Sequence, residues 1–164
     1  MSDLQIRAAT AADLPAINEI YNHFVLCSTC TYQDEPDTME QRHAWFATHG
    51  QAHPVTVAVL DGEIVGWGSL SPFRERSAYA RTVENSVYVR PSHFRRGIGR
   101  LLLADLIERA RTLGHHTIIA GIDAEQEPSI ALHEAMGFRN VADLREVGFK
   151  FGRWLHVRYL QLML

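Results

Sequence analysis

Long apolar runs are missing from this chain of 164 residues. None is long enough to cross a bilayer, and the opening MSDLQIRAAT lacks the apolar core of a secretory signal, so a cytoplasmic protein with no membrane partner is expected. Positive charge is not in excess either. The formal net charge is −3 and the arginines cluster locally instead of spreading along a face, which argues against a nucleic-acid partner. Cysteine is scarce. Cys27 and Cys30 form a C-x-x-C, but the pair follows a helical pattern and runs toward Pro36, whereas a redox motif of this kind opens a helix after a strand. Zinc needs four ligands and only His23 and His43 lie close in sequence, so two free thiols and no metal are expected. Repeats, low-complexity tracts and linker-like composition shifts are absent from the sequence, so residues 1–164 read as one domain with room for a sizeable core.

What is present concentrates between Val83 and Leu113. Val83, Val87 and Val89 are β-branched and Tyr88 is aromatic, which suits a strand. Pro91 cannot donate to a ladder and forces Arg90 out of the α region, so the strand ends there. Leu102, Leu103, Leu106, Ile107, Ala110 and Leu113 then recur at helical spacing, with Arg100, Asp105, Glu108, Arg109 and Arg111 on the other side. Between strand and helix lies Arg95-Arg96-Gly97-Ile98-Gly99-Arg100. Glycines let backbone N–H groups approach a ligand, the first helical N–H groups have no internal partner, and the arginines add positive charge, so the loop suits phosphate or diphosphate. An ordinary strand-to-helix turn is the bland alternative. The spacing and lysine of a P-loop are absent, and only two glycines of a dinucleotide fingerprint are present.

The remaining elements follow from the same patterns. Leu4–Ala8 reads as a strand, Leu14 to Val25 as a helix after a Thr10 N-cap, and Thr38 or Met39 to about Thr48 as a second helix. Val55–Leu60 and Glu63–Leu70 flank Asp61-Gly62, a strong hairpin signal. Thr117–Ile122 is an apolar strand and Ser129–Ala135 a short helix. Val141–Lys150 and Trp154–Leu164 are two strands joined at Gly152. The order βααβββαβαββ implies an α/β protein with a central mixed sheet and helices on both faces.

Arg95-Arg96-Gly97-Ile98-Gly99 after Val87-Tyr88-Val89 resembles the acetyl-CoA loop of the GCN5-related N-acetyltransferase (GNAT) superfamily, and Pro128 to Phe138 resembles its second cofactor motif. Within it, Thr82 to Val89, Leu132-His133-Glu134-Ala135 and Gly148 to Trp154 are similar to the phosphinothricin and methionine sulfoximine/sulfone acetyltransferases. The resemblance covers nearly the whole chain. It implies the GNAT fold and acetyl transfer from acetyl-CoA, without a metal, to the α-amine of a small amino-acid analogue: methionine sulfoximine, methionine sulfone or phosphinothricin. It also implies a homodimer.

Such a reaction needs a base for the ammonium, donors for an oxyanion, and stabilisation of a departing thiolate. Glu84, among valines, is the candidate base; its alternative is a solvent-facing edge carboxylate. Backbone N–H groups of Val87, Tyr88 and Val89 are the candidate oxyanion and pantetheine contacts, the strand being splayed in the resembled superfamily. His133 and Tyr88 compete to assist the thiolate. Arg95, Arg96, Gly97, Ile98, Gly99 and Arg100, with Gln126 and Ser129, are implied for the cofactor. Phe94 stands where that family has Gln or Arg, and Gln126 where it usually has Asn. Arg74 and Arg76, at i and i+2, suit a carboxylate, with a solvated loop as the alternative. Tyr32, Asn85 and Ser86 join Glu84 as substrate contacts. Acetylation of a protein N-terminus or a polyamine remains open, though a polyamine pocket should be acidic. A non-catalytic acyl-CoA-binding module would not need both Glu84 and His133.

Overall fold

The computed structural model describes residues 4–164. Strands β1 (Leu4–Ala8), β2 (Val55–Leu60), β3 (Glu63–Pro72), β4 (Thr82–Val89), β5 (Thr117–Asp123), β6 (Arg139–Lys150) and β7 (Arg153–Met163) form one sheet, ordered β1-β2-β3-β4-β5-β7-β6. Every pairing is antiparallel except β4 with β5, so the sheet is mixed. Helices α1 (Leu14–Cys27), α2 (Met39–Ala47), α3 (Ile98–Thr112) and α4 (Glu127–Ala135) complete the architecture.

Local chemistry sets the boundaries. Asp61 and Gly62 both have positive φ, +50° and +84°, as a two-residue hairpin turn of this hand requires. Thr38 accepts from Gln41 N (3.2 Å) while Gln41 Oε1 accepts from Thr38 N (2.7 Å), a reciprocal cap that starts α2. Three short 3-10 turns, Ala11–Asp13, Ser77–Tyr79 and Pro91–His93, occupy stretches that periodicity reads as connection.

Alternation along β3 and β4 decides what each face buries. Leu70 and Val83 pack with Leu103, Leu106 and Ala110 of α3 and Ile118 of β5. The opposite face presents Trp67 to Ile17, Ile20 and Phe24 of α1, with Trp45 of α2 beside them. The helices therefore lie on both faces. The residues on the α1/α2 side of β3 and β4 fall into facing pairs, Ser71 with Glu84, Ser69 with Ser86, and Trp67 with Tyr88.

Candidate active site

β4 pairs with β3 from Gly66↔Val89 to Pro72↔Val83, but with β5 only at Thr82↔Thr117, Val83↔Ile118 and Glu84↔Ile119. Beyond Glu84 the two strands part, while β5 stays paired with β7 to Asp123↔Val157. The β5-facing backbone groups of residues 85–89 are left as a free edge inside the sheet, able to pair with an extended, amide-bearing chain. The opening is a cleft of about 70 Å³ between Ser86, Val87 and Tyr88 on one side and Ala120 to Asp123 on the other. Gln126, Ser129 and His133 bring α4 against it.

Glu84 stands where the strands separate. Its Oε1 lies 3.1 Å from the point that a Cβ at Gly121 would occupy, so the glycine makes room for the carboxylate. Burial raises its pKa above the usual carboxylate value, and the positive charge of Arg74 opposes that shift. The Arg74 guanidinium lies 5.0 Å over the Phe73 ring. Arg76 directly precedes the 77–79 turn, and both arginines are exposed.

On the α3 side, Asn85 is buried and bonded to His133 Nε2 at 2.9 Å, while His133 Nδ1 meets the Ser129 carbonyl at 2.7 Å. A carbonyl can only accept, so Nδ1 carries the proton. Burial lowers the His133 pKa, keeping the ring neutral, and Nε2 therefore accepts from the Asn85 amide. This leaves Asn85 Oδ1 buried with no hydrogen-bond partner among the described residues. Such an acceptor on the cleft wall is preset for a donor from a bound molecule.

The start of α3 lies beyond the Val89 end of the free edge. Arg95 and Gly97 adopt left-handed φ values of +61° and +78°, turning the chain into the helix. The first intrahelical bond is Leu101 N to Gly97 O, so the N–H groups of Ile98, Gly99 and Arg100 precede the ladder. A Cβ at Gly99 would lie 3.4 Å from Leu132 of α4 and 3.8 Å from Val89 of β4, which places this helix end beside both. Arg95, Arg96 and Arg100 are exposed around it. Phe94 lies nearly parallel to Phe24 of α1, ring centroids 6.2 Å apart, and remains half exposed.

Tyr88 packs on Trp67 (4.9 Å) and edge-on to Tyr21 (5.4 Å), and burial raises its pKa so that the hydroxyl keeps its proton. Tyr32 donates to Asp123 Oδ2 at 2.5 Å and lays its ring where a Cβ at Gly148 would clash at 2.4 Å. Gln126 donates to Thr29 Oγ1 (3.0 Å), tying α4 to the loop after α1. Asn85, Ser86, Tyr88, Gln126, Ser129 and His133 thus gather around one opening, with Glu84 where the strands part. The Arg76 carbonyl accepts from Tyr79 N–H (2.9 Å), but its guanidinium makes no hydrogen bond or ion pair with another described residue.

Three contributors escape sequence reasoning: Gly121, Asp123 and Lys150. Lys150 is buried and donates to Ser28 O (2.8 Å) and Thr31 O (2.9 Å), holding the loop that carries Tyr32. A glycine inside an apolar strand is a signal of close approach and marks Gly121. The other two carry no local signal, since their partners lie 91 and more than 100 residues away.

A free strand edge with an unpartnered acceptor beside it, and an arginine-ringed helix start near its far end, suit an extended, amide-bearing ligand with an anionic terminus. Residues 17–138 match the Acetyltransferase (GNAT) family, and the chain belongs to it. It is 41% identical over 162 residues to the L-methionine sulfoximine/L-methionine sulfone acetyltransferase of Salmonella typhimurium, covering 98% of this chain and 95% of that one. The phosphinothricin acetyltransferase of Sinorhizobium meliloti, solved with acetyl-CoA, superposes with a TM-score of 0.95 at 39% identity, over 98% of this chain and 88% of that one. The ribosomal-protein-alanine N-acetyltransferase of Brucella melitensis superposes with a TM-score of 0.95 at 43% identity, over 98% and 99%.

Proposed function

We propose that this protein transfers the acetyl group of acetyl-CoA to the α-amine of a small amino-acid analogue such as methionine sulfone, methionine sulfoximine or phosphinothricin. The observation that carries the reading is a carboxylate of raised pKa, Glu84, at the point where β4 and β5 part. Acetyl-CoA supplies the activated thioester. Residues 95–100 hold its diphosphate, the free edge at Val87, Tyr88 and Val89 holds the pantetheine arm, and Asn85 Oδ1 takes a donor from it. Gln126 and Ser129 border that arm from α4.

Glu84 accepts the ammonium proton, directly or through water. His133, neutral and with Nε2 occupied, fixes the Asn85 amide; Tyr88, which keeps its hydroxyl proton, assists the departing sulfur. Arg74, whose charge reaches Glu84, binds the acceptor carboxylate with Arg76, and Tyr32 and Ser86 border the acceptor. The chain acts as a homodimer in the cytoplasm. The exposed aromatics Phe149, Phe151 and Trp154 at the β6–β7 turn support the first statement, and free Cys27 and Cys30 the second.

The Brucella relative motivates a second reading, acetylation of a protein N-terminus. A thiol-release assay with acetyl-CoA over free amino-acid analogues, polyamines and short peptides separates the two. Release with the free analogues is expected; release with peptides alone, or with nothing, contradicts the proposal.

A further inference from the structure

A second cavity, about 170 Å³, lies on the α1/α2 face of the sheet. Its floor is the run of facing pairs that begins at Glu84. Ser71 is the cross-strand neighbour of Glu84, Ser69 of Ser86, and Trp67 of Tyr88, and all but Glu84 line the cavity. Directly opposite residues on one face bring their Cβ atoms within about 5 Å, and successive same-face residues are about 7 Å apart. The cavity therefore starts beside the carboxylate and runs along β3 and β4 toward Val89, on the face of the sheet opposite α3. Engineered cavities of about 150 Å³ admit benzene, so this one has room for a short side chain.

Its chemistry is specific. Trp67 is 2% exposed, and its Nε1–H has no partner among the described residues. The hydroxyl-bearing residues Ser69, Ser71 and Ser86 line the same space, and the Trp45, Trp67 and Tyr88 rings form apolar walls. Arg42 also borders it, but its charge is matched: Nη2 meets Asp37 Oδ2 at 2.7 Å, and Nε donates to Asn18 Oδ1 at 3.1 Å. A buried, unpaired N–H donor on a residue that walls a space of matched charge suits an uncharged group that carries an acceptor oxygen on an apolar body.

We propose that this cavity receives the acceptor's side chain, and that Trp67 Nε1–H selects for an uncharged, oxygen-bearing side chain of the sulfone type by donating a hydrogen bond to it. The inference rests on the amino-acid acetyltransferase reading and adds a specificity-determining residue to it. A site built to hydrogen-bond a substrate group discriminates against the analogue that lacks it, because its own polar group is then left unpaired.

The test compares kcat/KM for L-methionine sulfone and L-methionine, which differ only in the sulfur-bound oxygens. In Trp67→Phe the ring remains and the donor is gone. The sulfone-to-methionine ratio is expected to fall about tenfold, through the sulfone KM, and a ratio is insensitive to how much of the variant folds. If Trp67→Phe yields no folded protein, Ser69→Ala, which removes a hydroxyl from the same wall, is expected to lower the ratio in the same direction. Unchanged ratios with acetylation intact overturn the pocket assignment alone. If the parent protein acetylates no free amino acid, the underlying reading fails as well, and the two failures are told apart by the parent assay.

Discussion

Glu84 shows how one side chain acquires a function from its surroundings. Desolvation disfavours its charge, so its pKa rises from the ordinary 4.5, while Arg74 holds the rise in check. A base must be ionised, so kcat/KM is expected to fall as pH drops through that raised pKa. Glu84→Gln should remove this limb and lower kcat about a hundredfold, with KM for acetyl-CoA nearly unchanged. Linkage gives a second readout. Between the unfolded and the raised folded pKa the native state binds more protons, so the buried carboxylate lowers stability as pH rises through that window. Tm of Glu84→Gln is accordingly expected to exceed the parent's at pH 7, with the gap closing below pH 4.5. A variant with full activity and an unchanged acid limb would remove Glu84 from the chemistry. The residue was legible in the sequence through the resemblance carried by Thr82 to Val89; by itself a strand glutamate reads as a solvent-facing edge carboxylate. The role of Gly121 in making room for it depends on a parallel neighbour, which only the assembled sheet reveals.

At the scale of elements, the parting of β4 and β5 is what makes a cleft. The sequence shows that both are strands, but periodicity carries no information on where a pairing ends. It also misses the three 3-10 turns, whose polar and proline-containing stretches read as loop. On addition of acetyl-CoA, amides among residues 85–89 are expected to slow in hydrogen exchange, while those of 117–123, already paired with β7, change little. Equal protection of both strands, or of neither, would mean that the ligand does not pair with the β4 edge. The mouth of α3 gives a sharper case. Gly97 has φ +78° and nothing within 4 Å of a hypothetical Cβ, so Gly97→Ala tests backbone conformation alone. A cost of about 1 kcal/mol is expected in denaturant unfolding, together with weaker coenzyme A binding. A neutral substitution would show that the left-handed turn is dispensable.

For the whole molecule, the β6–β7 hairpin stands out because Phe149, Phe151 and Trp154 are each more than half exposed at its end, and Phe149 and Trp154 meet edge-on at 5.1 Å. Trp154→Arg is expected to shift a dimer toward monomer in sedimentation velocity; an unchanged sedimentation coefficient would place the contact elsewhere. Fold class and strand order along the chain could be read from period and turn chemistry. The joining of distant pieces could not. Lys150 reaches the carbonyls of Ser28 and Thr31 across more than 100 residues, and only the closed sheet brings Tyr32 to Asp123. The most direct measurement of the central claim is a crystal structure with coenzyme A. The diphosphate is predicted on the N–H groups at the start of α3, with the sulfur in the opening next to Asn85 and Glu84. A diphosphate bound elsewhere, or a sulfur remote from Glu84, would contradict the account.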